Sequence, residues 1–334
     1  FAMAKDEPNN KKSELIIGID GGGTKTSCIL FDTEGNIFDR IIKEGSNLYV
    51  FKENGVNILL SAINKILKKN KLNIDDINAY GIAVAGISDQ NQKDLLLKEL
   101  DRIKITSKTI LLSDVEAAYR ILCPKQQGLL VNIGTGIICF AKDDNGKIIK
   151  EAGNGFDKGD IGSGYWLGKE LFYRLILNEA LVFEDDDLKQ IFDASIDKFN
   201  VKNFREMYQL IEQGDDIFCQ LSSLGQDAID LAMKGNDVAL SIVQEGTRYV
   251  ADYILNICER LDMINLSEII IAINGNVIKN NFYRKMLNEA LQFDFKKIHW
   301  VSSDIDSAIG AGILASNYKG IDISLKTIIR KHKN

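Results

Sequence analysis

The chain has 334 residues, of which 45% are hydrophobic and 26% are charged, and its formal net charge is −6. This length allows two domains of ordinary size, and the acidic balance offers no basic surface to nucleic acid or an anionic membrane. No apolar run approaches the roughly 20 residues that span a bilayer. The polar start, residues 1–14, lacks the apolar segment of a signal peptide, so we expect a cytoplasmic protein.

The cysteines and histidines are too few or too scattered to form a metal site, a redox motif or a catalytic triad. The five cysteines show no CxxC spacing, and Cys28 and Cys139 lie inside apolar strand patterns, so we interpret them as small core residues. Two histidines, His299 and His332, do not suffice for a His-rich metal site or a Ser-His-Asp triad.

In chain order, the first third of the sequence predicts three strands and then alternating helices and strands. The opening strands are LIIGID, TSCILFD and IFDRIIKEG, joined by turns at GGGTK and TEGN. Helix NGVNILLSAINKILKKN, strand AYGIAVAG, helix QNQKDLLLKELDRI, strand KTILLSD and helix VEAAYRIL follow. This order is typical of an α/β layer.

The same order begins again near residue 125. Strands GLLVNIG, IICFAKD and KIIKEAG are joined by turns at TG and DNG, which we interpret as an internal duplication. A mostly helical stretch follows, and strand SEIIIAI, helix NNFYRKMLNEAL, strand KIHWVSS and a helix over DSAIGAGILASNY close the pattern.

The sequence therefore predicts an α/β fold with two similar lobes that face each other across a cleft. We expect the N-terminal lobe over residues 13–119, completed by the C-terminal helix at about 305–330. The C-terminal lobe is expected over residues 120–304, with a helical insertion at about 162–262.

Three consecutive glycines follow the first strand, in GIDGGGTKT. A Walker A loop nearly fits from Gly18, but Thr24 intrudes, and a strand pattern follows where a P-loop must open a helix. The GxGxxG dinucleotide motif fails for the same reason. A glycine turn between strands can instead direct successive N–H groups into one anion-binding concavity, and NIGTG repeats this device in the second lobe. The two loops predict a polyphosphate site at Gly21, Gly22, Gly23, Thr24, Lys25, Thr26, Gly134, Thr135 and Gly136.

Asp20 ends the first strand beside this concavity. A carboxylate next to phosphate repels it unless a cation lies between them, so we predict that Asp20 binds Mg²⁺ or a water of its shell. The alternative is a plain hairpin in which Asp20 only caps a bend.

The ordered motifs GIDGGGTKT, LLSDVEAAY, NIGTG, GDIGSGYWLG, INGNV and GAGILA resemble the BadF/BadG/BcrA/BcrD-type ATPases and the N-acetylglucosamine and N-acetylmuramic acid kinases. Both groups belong to the sugar kinase–Hsp70–actin superfamily, and the similarity spans about residues 15–318. The resemblance implies two RNase-H-like lobes, ATP with Mg²⁺ in the cleft and hinge closure around the substrate. It also implies that adenosine lies against the backbone at Gly275, Asn276 and Gly310, although tight helix packing is an equal explanation for Gly310.

Asp114 is the predicted catalytic residue. Ser113 and Glu116 form a capping-box pattern around it, so a purely structural role as a first-turn anion is the alternative. Phosphoryl transfer needs a carboxylate that accepts the hydroxyl proton, and we expect the helix N-terminus to keep Asp114 ionised for this task. In the kinases that this sequence resembles, the matching aspartate contacts the sugar 6-hydroxyl.

The resemblance implies a sugar site at Asn47, Gly86, Asp114, Thr135 and Asp160. Without it, Asn47 is equally well explained as a turn residue and Asp160 as a helix N-cap.

The sequence departs from the kinase pattern at four positions. Asn154 replaces a tryptophan, Ile161 replaces a glutamate, and Ile137 and Ile138 stand where serine and often a polar residue are usual. The missing tryptophan enlarges or reshapes the sugar pocket, so one hypothesis adds N-acetylmuramic acid to N-acetylglucosamine as substrate. Lys158 would then pair with the lactyl carboxylate, although a solvated surface lysine is the simpler interpretation.

The resemblance favours an ATP-dependent kinase that phosphorylates the 6-hydroxyl of an N-acetylhexosamine, acting as a homodimer without nucleic acid or membrane partners. Three alternatives stay open at this point. They are a glucosamine kinase, an ATPase that activates an acyl-CoA dehydratase or reductase through an iron–sulfur cluster, and a non-catalytic actin- or Hsp70-like nucleotide switch.

Overall fold

The computed structural model describes residues 13–123, 128–143, 145, 147–155, 158, 160–213, 217–302, 306–323 and 328. The strands are β1 (Leu15–Gly21), β2 (Lys25–Asp32), β3 (Ile37–Glu44), β4 (Ile77–Val84), β5 (Thr109–Leu112), β6 (Gly128–Ile133), β7 (Ile137–Lys142), β8 (Ile148–Ala152), β9 (Glu268–Asn274) and β10 (Lys297–Val301). The α-helices are α1 (Leu48–Lys69), α2 (Gln90–Arg102), α3 (Asp114–Leu122), α4 (Gly164–Leu177), α5 (Asp186–Phe199), α6 (Phe204–Gln213), α7 (Ile217–Met233), α8 (Asp237–Arg260), α9 (Asn276–Lys279), α10 (Asn281–Leu291) and α11 (Ser307–Tyr318).

The chain divides into two compact units. The first contains the described residues within 1–117 and 305–334, and the second contains those within 118–304. Among the described helices, none combines the length and the apolar composition that crossing a membrane requires.

The first unit is built on a five-stranded sheet with the order β3-β2-β1-β4-β5. β2 runs antiparallel to β1 and β3, whereas β4 runs parallel to β1 and β5. The β1 side chains Ile16, Ile17 and Ile19 are fully buried, because the sheet is covered on both faces. α1 covers one face with its apolar side chains Leu59, Ile63 and others at helical spacing.

α11 covers the other face and approaches β1 at backbone distance. A Cβ atom at Gly18 would lie 1.8 Å from the carbonyl oxygen of Ala308, so only glycine allows this approach. The contact places the first residues of α11 beside the carboxyl end of β1, although they are distant from β1 in sequence.

The second unit repeats this plan. Its sheet has the order β10-β9-β6-β7-β8, with β7 antiparallel to β6 and β8 and with β9 parallel to β6 and β10. β6 to β10 thus occupy the positions that β1 to β5 occupy in the first sheet. The prediction of an α/β fold with two similar lobes is confirmed, and the duplication extends beyond the three strands from which it was inferred.

Helices α4 to α8 lie between β8 and β9 in the chain. These helices pack apolar side chains, including Leu171, Leu224 and Ile254, into one core with the buried face of the second sheet. This core fixes the start of α4, whose first N–H groups are hydrogen-bonded to the second glycine loop described below.

Candidate active site

The first glycine loop is a tight hairpin between β1 and β2. The Gly22 N–H donates to the Lys25 carbonyl at 2.9 Å, and Gly21 is directly opposite Thr26 in the strand register. Thr24 and Lys25 are exposed, so this hairpin presents backbone and a lysine to solvent as a phosphate site requires.

Asp20 lies among other carboxylates. Its pKa is raised from the ordinary value of 3.8 to about 7. Burial is the largest cause, and the negative charges of Asp114 and Asp306 act in the same direction. The Lys25 ammonium and a hydrogen bond from Ser307 act in the opposite direction. Two carboxylates act on the buried Asp20 carboxyl, and a divalent cation at this site would stabilise its ionised form.

The residues around Asp20 fit a magnesium ion only if the substrate phosphates supply part of its ligands. Within the parts of the chain that the structure describes, no group of three or more His, Cys, Asp or Glu side chains is arranged to hold a metal ion. Mg²⁺ keeps several waters and is usually bound through one or two carboxylates plus substrate phosphates. Asp20 and the hairpin therefore suit a metal that arrives with a nucleotide.

The sequence analysis missed Asp306 and Ser307. Asp306 caps α11 by accepting a hydrogen bond from the Ala308 N–H at 2.9 Å, and it also pairs with Arg40 at 3.0 Å and accepts from Ser27 at 3.1 Å. An Asp-Ser pair before an apolar run signals a helix start. Nothing local to residues 306 and 307 indicated that this start would lie against Asp20.

Asp114 begins α3 directly after β5, where both the catalytic and the capping interpretations placed it. The Ser113 side chain accepts a hydrogen bond from the Glu116 N–H at 3.0 Å, as a cap does. Burial raises the pKa of Asp114 to about 6. The N–H groups of Val115 and Asp114 itself lower the pKa of Asp114, which is the direction expected of a helix N-terminus, but burial has the larger effect.

Asn47 lies on a loop that is bonded to the first hairpin. The Ser46 and Asn47 N–H groups both donate to the Gly22 carbonyl at 3.0 Å. The Asn47 side-chain oxygen caps α1 by accepting from the Tyr49 and Val50 N–H groups at 2.9 and 3.4 Å. Asn47 is thus the N-cap of α1, a local structural role rather than the turn expected from the sequence.

Gly86 packs against this loop. Its φ is +81°, and a Cβ atom there would lie 2.3 Å from the Tyr49 nitrogen and 2.7 Å from the Asn47 side-chain oxygen. Glycine is required for the conformation and for the close approach. In the described structure Gly86 therefore shapes the Asn47 loop, whatever it does toward a sugar.

Thr26 departs from the role expected of it. Its side chain is fully buried, and its hydroxyl lies 2.7 Å from both the Glu44 carbonyl oxygen and the Ser46 hydroxyl. Lys25 is exposed at the start of β2, whereas Thr26 and the residues that follow it in β2 are all buried. The side chain of Thr26 does not face the hairpin's exposed concavity.

The second glycine loop is anchored to α4. The Gly134 N–H donates to the Gly136 carbonyl at 2.9 Å, and the Gly134 and Thr135 carbonyls accept from the Gly164 and Tyr165 N–H groups at 2.8 and 3.0 Å. A Cβ atom at Gly134 would meet no atom within 4 Å. Packing within the described structure does not explain this glycine, and the open space beside it leaves the backbone accessible.

Asp160 lies beside this loop. It is only 7% exposed, one carboxylate oxygen accepts from the Asn154 N–H at 3.1 Å, and the other lies 3.9 Å from where a Cβ atom of Gly136 would be. Ser163, rather than Asp160, caps α4 by accepting from the Trp166 N–H at 3.1 Å. The alternative that Asp160 is a helix N-cap is wrong.

The three residues implied for adenosine lie in different units of the chain. Gly275 has φ +91° and packs against the end of β6, where a Cβ atom would lie 2.3 Å from the Ile133 carbonyl oxygen, and Asn276 begins α9. Gly310 belongs to the first unit, where it is buried within α11. The close contacts of α11 with β1 are at Ala308 and Gly312, so both explanations of Gly310 stay predictions.

Two curated relatives are similar to this chain over most of their length. The N-acetylmuramic acid/N-acetylglucosamine kinase of Clostridium acetobutylicum is 27% identical over 305 residues, which are 90% of this chain and 98% of that protein. The N-acetyl-D-glucosamine kinase of Dictyostelium discoideum is 25% identical over 324 residues, with coverage of 92% and 99%.

A solved structure supports the fold. A candidate N-acetylglucosamine kinase from Chromobacterium violaceum superposes with a TM-score of 0.70 at 19% identity, covering 90% of this chain and 99% of that one. The sequence model of the BadF/BadG/BcrA/BcrD ATPase family matches residues 17–315. Because this match spans most of the chain, the protein belongs to the BadF/BadG/BcrA/BcrD ATPase family.

Proposed function

We propose that this protein is an ATP-dependent sugar kinase that phosphorylates the 6-hydroxyl of an N-acetylhexosamine, N-acetylglucosamine or N-acetylmuramic acid. ATP use follows from membership in an ATPase family. The names of both curated relatives supply the sugar class. The observation that carries the proposal is the surroundings of the first hairpin. Asp20 and Lys25 belong to the hairpin, and Asp114 is close enough to raise the pKa of Asp20. The loop that contains Asn47 is hydrogen-bonded to the Gly22 carbonyl of the same hairpin.

The glycine hairpin and Lys25 are assigned to the phosphates, and Asp20 to the Mg²⁺ ion or its water shell. When bound, Mg²⁺ neutralises the charge that develops on the transferring phosphoryl group. Lys25 keeps a positive charge beside Asp20, and Ser307 orients the Asp20 carboxylate through its hydrogen bond. The backbone of Gly134, Thr135 and Gly136 is assigned to the same nucleotide, with Gly275 and Asn276 at its adenosine end.

Asp114 is assigned as the base that accepts the proton of the sugar hydroxyl. With its pKa at about 6, it is mostly ionised at neutral pH and still basic enough to take a proton. The neighbouring N–H groups of Val115 and Asp114 limit the rise in this pKa, so that burial does not leave the carboxyl protonated. Asn47, Gly86, Thr135 and Asp160 are assigned to binding and orienting the sugar.

The buried cysteines count against the dehydratase-activator alternative. Cys28, Cys123, Cys139 and Cys258 are all buried, and Cys219 is partly buried. Burial raises the pKa of the Cys123 thiol to about 11 and that of Cys258 to about 12, and it raises those of Cys28 and Cys139 as well. An iron–sulfur cluster needs accessible thiolates, which these positions disfavour.

The test is a coupled assay of ADP release with Mg²⁺·ATP and a panel of amino sugars, including N-acetylglucosamine, N-acetylmuramic acid and glucosamine. We expect ADP release to depend on an N-acetylhexosamine and the product to be its 6-phosphate by mass spectrometry and NMR. ADP release that no sugar stimulates would contradict the proposal. A preference for glucosamine would move the acceptor to a non-acetylated sugar.

A further inference from the structure

Two buried hydroxyl groups connect the first hairpin to the Asn47 loop. Thr26 and Ser46 are both fully buried, and their hydroxyl oxygens are 2.7 Å apart. The Thr26 oxygen is also 2.7 Å from the Glu44 carbonyl oxygen. A threonine hydroxyl has one proton, so Thr26 donates to Glu44 and Ser46 donates to Thr26. This pair of hydrogen bonds fixes the side chain of Ser46 from within the unit.

The backbone around Ser46 fixes the same loop from the other side. The Ser46 and Asn47 N–H groups share the Gly22 carbonyl as their acceptor, at 3.0 Å each. Gly21 lies directly beneath, since a Cβ atom there would be 2.3 Å from the Ser46 hydroxyl oxygen. Asn47 thus follows a residue that is held by both its main chain and its side chain.

The hairpin itself does not depend on these hydroxyls. Its turn is closed by the Gly22 N–H and the Lys25 carbonyl, and the β1–β2 and β2–β3 registers place Thr26 opposite Gly21 and Lys43. All of these are main-chain interactions. Loss of the Thr26 hydroxyl should therefore disturb the loop that carries Asn47 and leave the phosphate-binding turn in place.

We propose that Thr26 and Ser46 are positioning residues that set Asn47 for the sugar, and that Thr26 is not a nucleotide ligand. The inference rests on the proposed function, because the Asn47 loop is the sugar side of that site. It differs from the sequence-based expectation, which grouped Thr26 with Gly21 to Lys25 at the polyphosphate.

The test variant is Thr26→Val, which keeps the shape of the side chain and removes its hydroxyl. The buried Glu44 carbonyl and Ser46 hydroxyl then lose a partner, a cost large enough to shift a loop. We expect the KM for the amino sugar to rise about tenfold and the KM for ATP to stay within about twofold. Thr26→Ser, which restores the hydroxyl, should return most of the sugar affinity, and Ser46→Ala should reproduce the effect of Thr26→Val in weaker form.

A matched control removes another buried threonine hydroxyl. Thr247 is 2% exposed, and its hydroxyl donates to the Val243 carbonyl at 2.9 Å within α8 of the second unit. Thr247→Val should change neither KM, even if it lowers the melting temperature as much as Thr26→Val does. This comparison separates loop positioning from a general loss of stability.

Hydrogen exchange provides a readout that needs no ligand. In Thr26→Val the Ser46 and Asn47 amides should exchange faster, whereas the Gly22 amide should keep its wild-type protection. A rise in the KM for ATP with an unchanged KM for the sugar would overturn the inference, as would unaltered exchange at residues 46 and 47. If the wild-type enzyme phosphorylates no amino sugar, the proposed function is overturned as well. If the wild type is active and Thr26→Val leaves the KM for the sugar unchanged, this inference alone is overturned.

Discussion

The two glycine loops come from the same structural repeat but are built differently. The first hairpin is surrounded by charge, with Lys25, Asp114 and Asp306 all acting on the pKa of Asp20. The second loop is an arrangement of backbone, tied to the start of α4 by two main-chain hydrogen bonds. Under the proposed function, the first unit would supply charges and the proton acceptor. The second unit would supply the main chain of its glycine loop, with the buried Asp160 carboxylate beside it.

The largest expected effect tests the charged side of this comparison. Asp114→Asn should lower kcat about a thousandfold, because the amide cannot accept the hydroxyl proton. The melting temperature should not fall, because the substitution removes a buried carboxyl whose pKa is raised. Steady-state kinetics and calorimetry check both statements. Wild-type kcat in this variant would remove Asp114 from the mechanism.

A pair of glycine variants in the second unit tests the backbone side. Gly275→Ala forces a side chain into φ +91° and against the Ile133 carbonyl, so it should cost about 2 kcal/mol or more of stability. Gly134→Ala meets open space and should leave the melting temperature within about 1 °C, while its methyl group raises the KM for ATP by roughly fivefold. Equal ATP affinity in Gly134→Ala and wild type would show that the second loop does not approach the nucleotide.

Asp20→Asn should abolish most activity and yet stabilise the apoprotein at pH 8, by about 2–5 °C. Well below the ordinary pKa of 3.8 the carboxyl is protonated in both the folded and unfolded states, and the two proteins should melt alike. As the pH rises from 3.8 to about 7, the unfolded carboxyl ionises while the folded one stays protonated, so the wild type loses stability relative to the variant over this range. Thermal melts across this range measure the effect.

The control for this prediction is Asp75→Asn, since the Asp75 side chain is fully exposed. Asp75 lies 4.0 Å from the Lys108 ammonium in an exposed ion pair, so Asp75→Asn should change the melting temperature little. A lower melting temperature for Asp20→Asn at pH 8 would show that the carboxylate is stabilised by its surroundings and would contradict the electrostatic account of the first hairpin.

The smallest effect concerns the sugar. Lys158 is exposed to solvent, so an ion pair with a lactyl carboxylate would contribute little to the free energy of sugar binding. If it forms, Lys158→Ala should lower kcat/KM for N-acetylmuramic acid relative to N-acetylglucosamine by about threefold. Lys150→Ala, at an exposed position of β8, is the matched control. An unchanged ratio of the two kcat/KM values would remove Lys158 from substrate selection.

Local patterns predicted the fold well because strands, turns and helices leave local signals. The strand meander and glycine turn near residue 20 and again near residue 134 sufficed to infer two similar sheets. The contact of Ser307 with Asp20 could not be predicted, because it joins residues far apart in sequence through the packing of α11 on Gly18.

Individual site residues were harder to predict, as three cases show. Thr26 was grouped with its neighbours by motif, although it is fully buried and its hydroxyl bonds within the unit, whereas Lys25 at the start of β2 is exposed. For Asp114 the sequence shows the helix N-terminus beside the carboxyl but not the burial that raises its pKa to about 6. Ser163 rather than Asp160 proved to be the cap of α4, a distinction of three residues that a capping pattern does not resolve.

The most direct test of the roles proposed for the two glycine loops is a crystal structure with Mg²⁺ and a non-hydrolysable ATP analogue. The account predicts phosphate oxygens within hydrogen-bonding distance of backbone N–H groups in residues 21–25 and 134–136, with the metal ion on the Asp20 side. A polyphosphate bound away from either loop would contradict it, and the kinase assignment of Asp114 would then lose its basis.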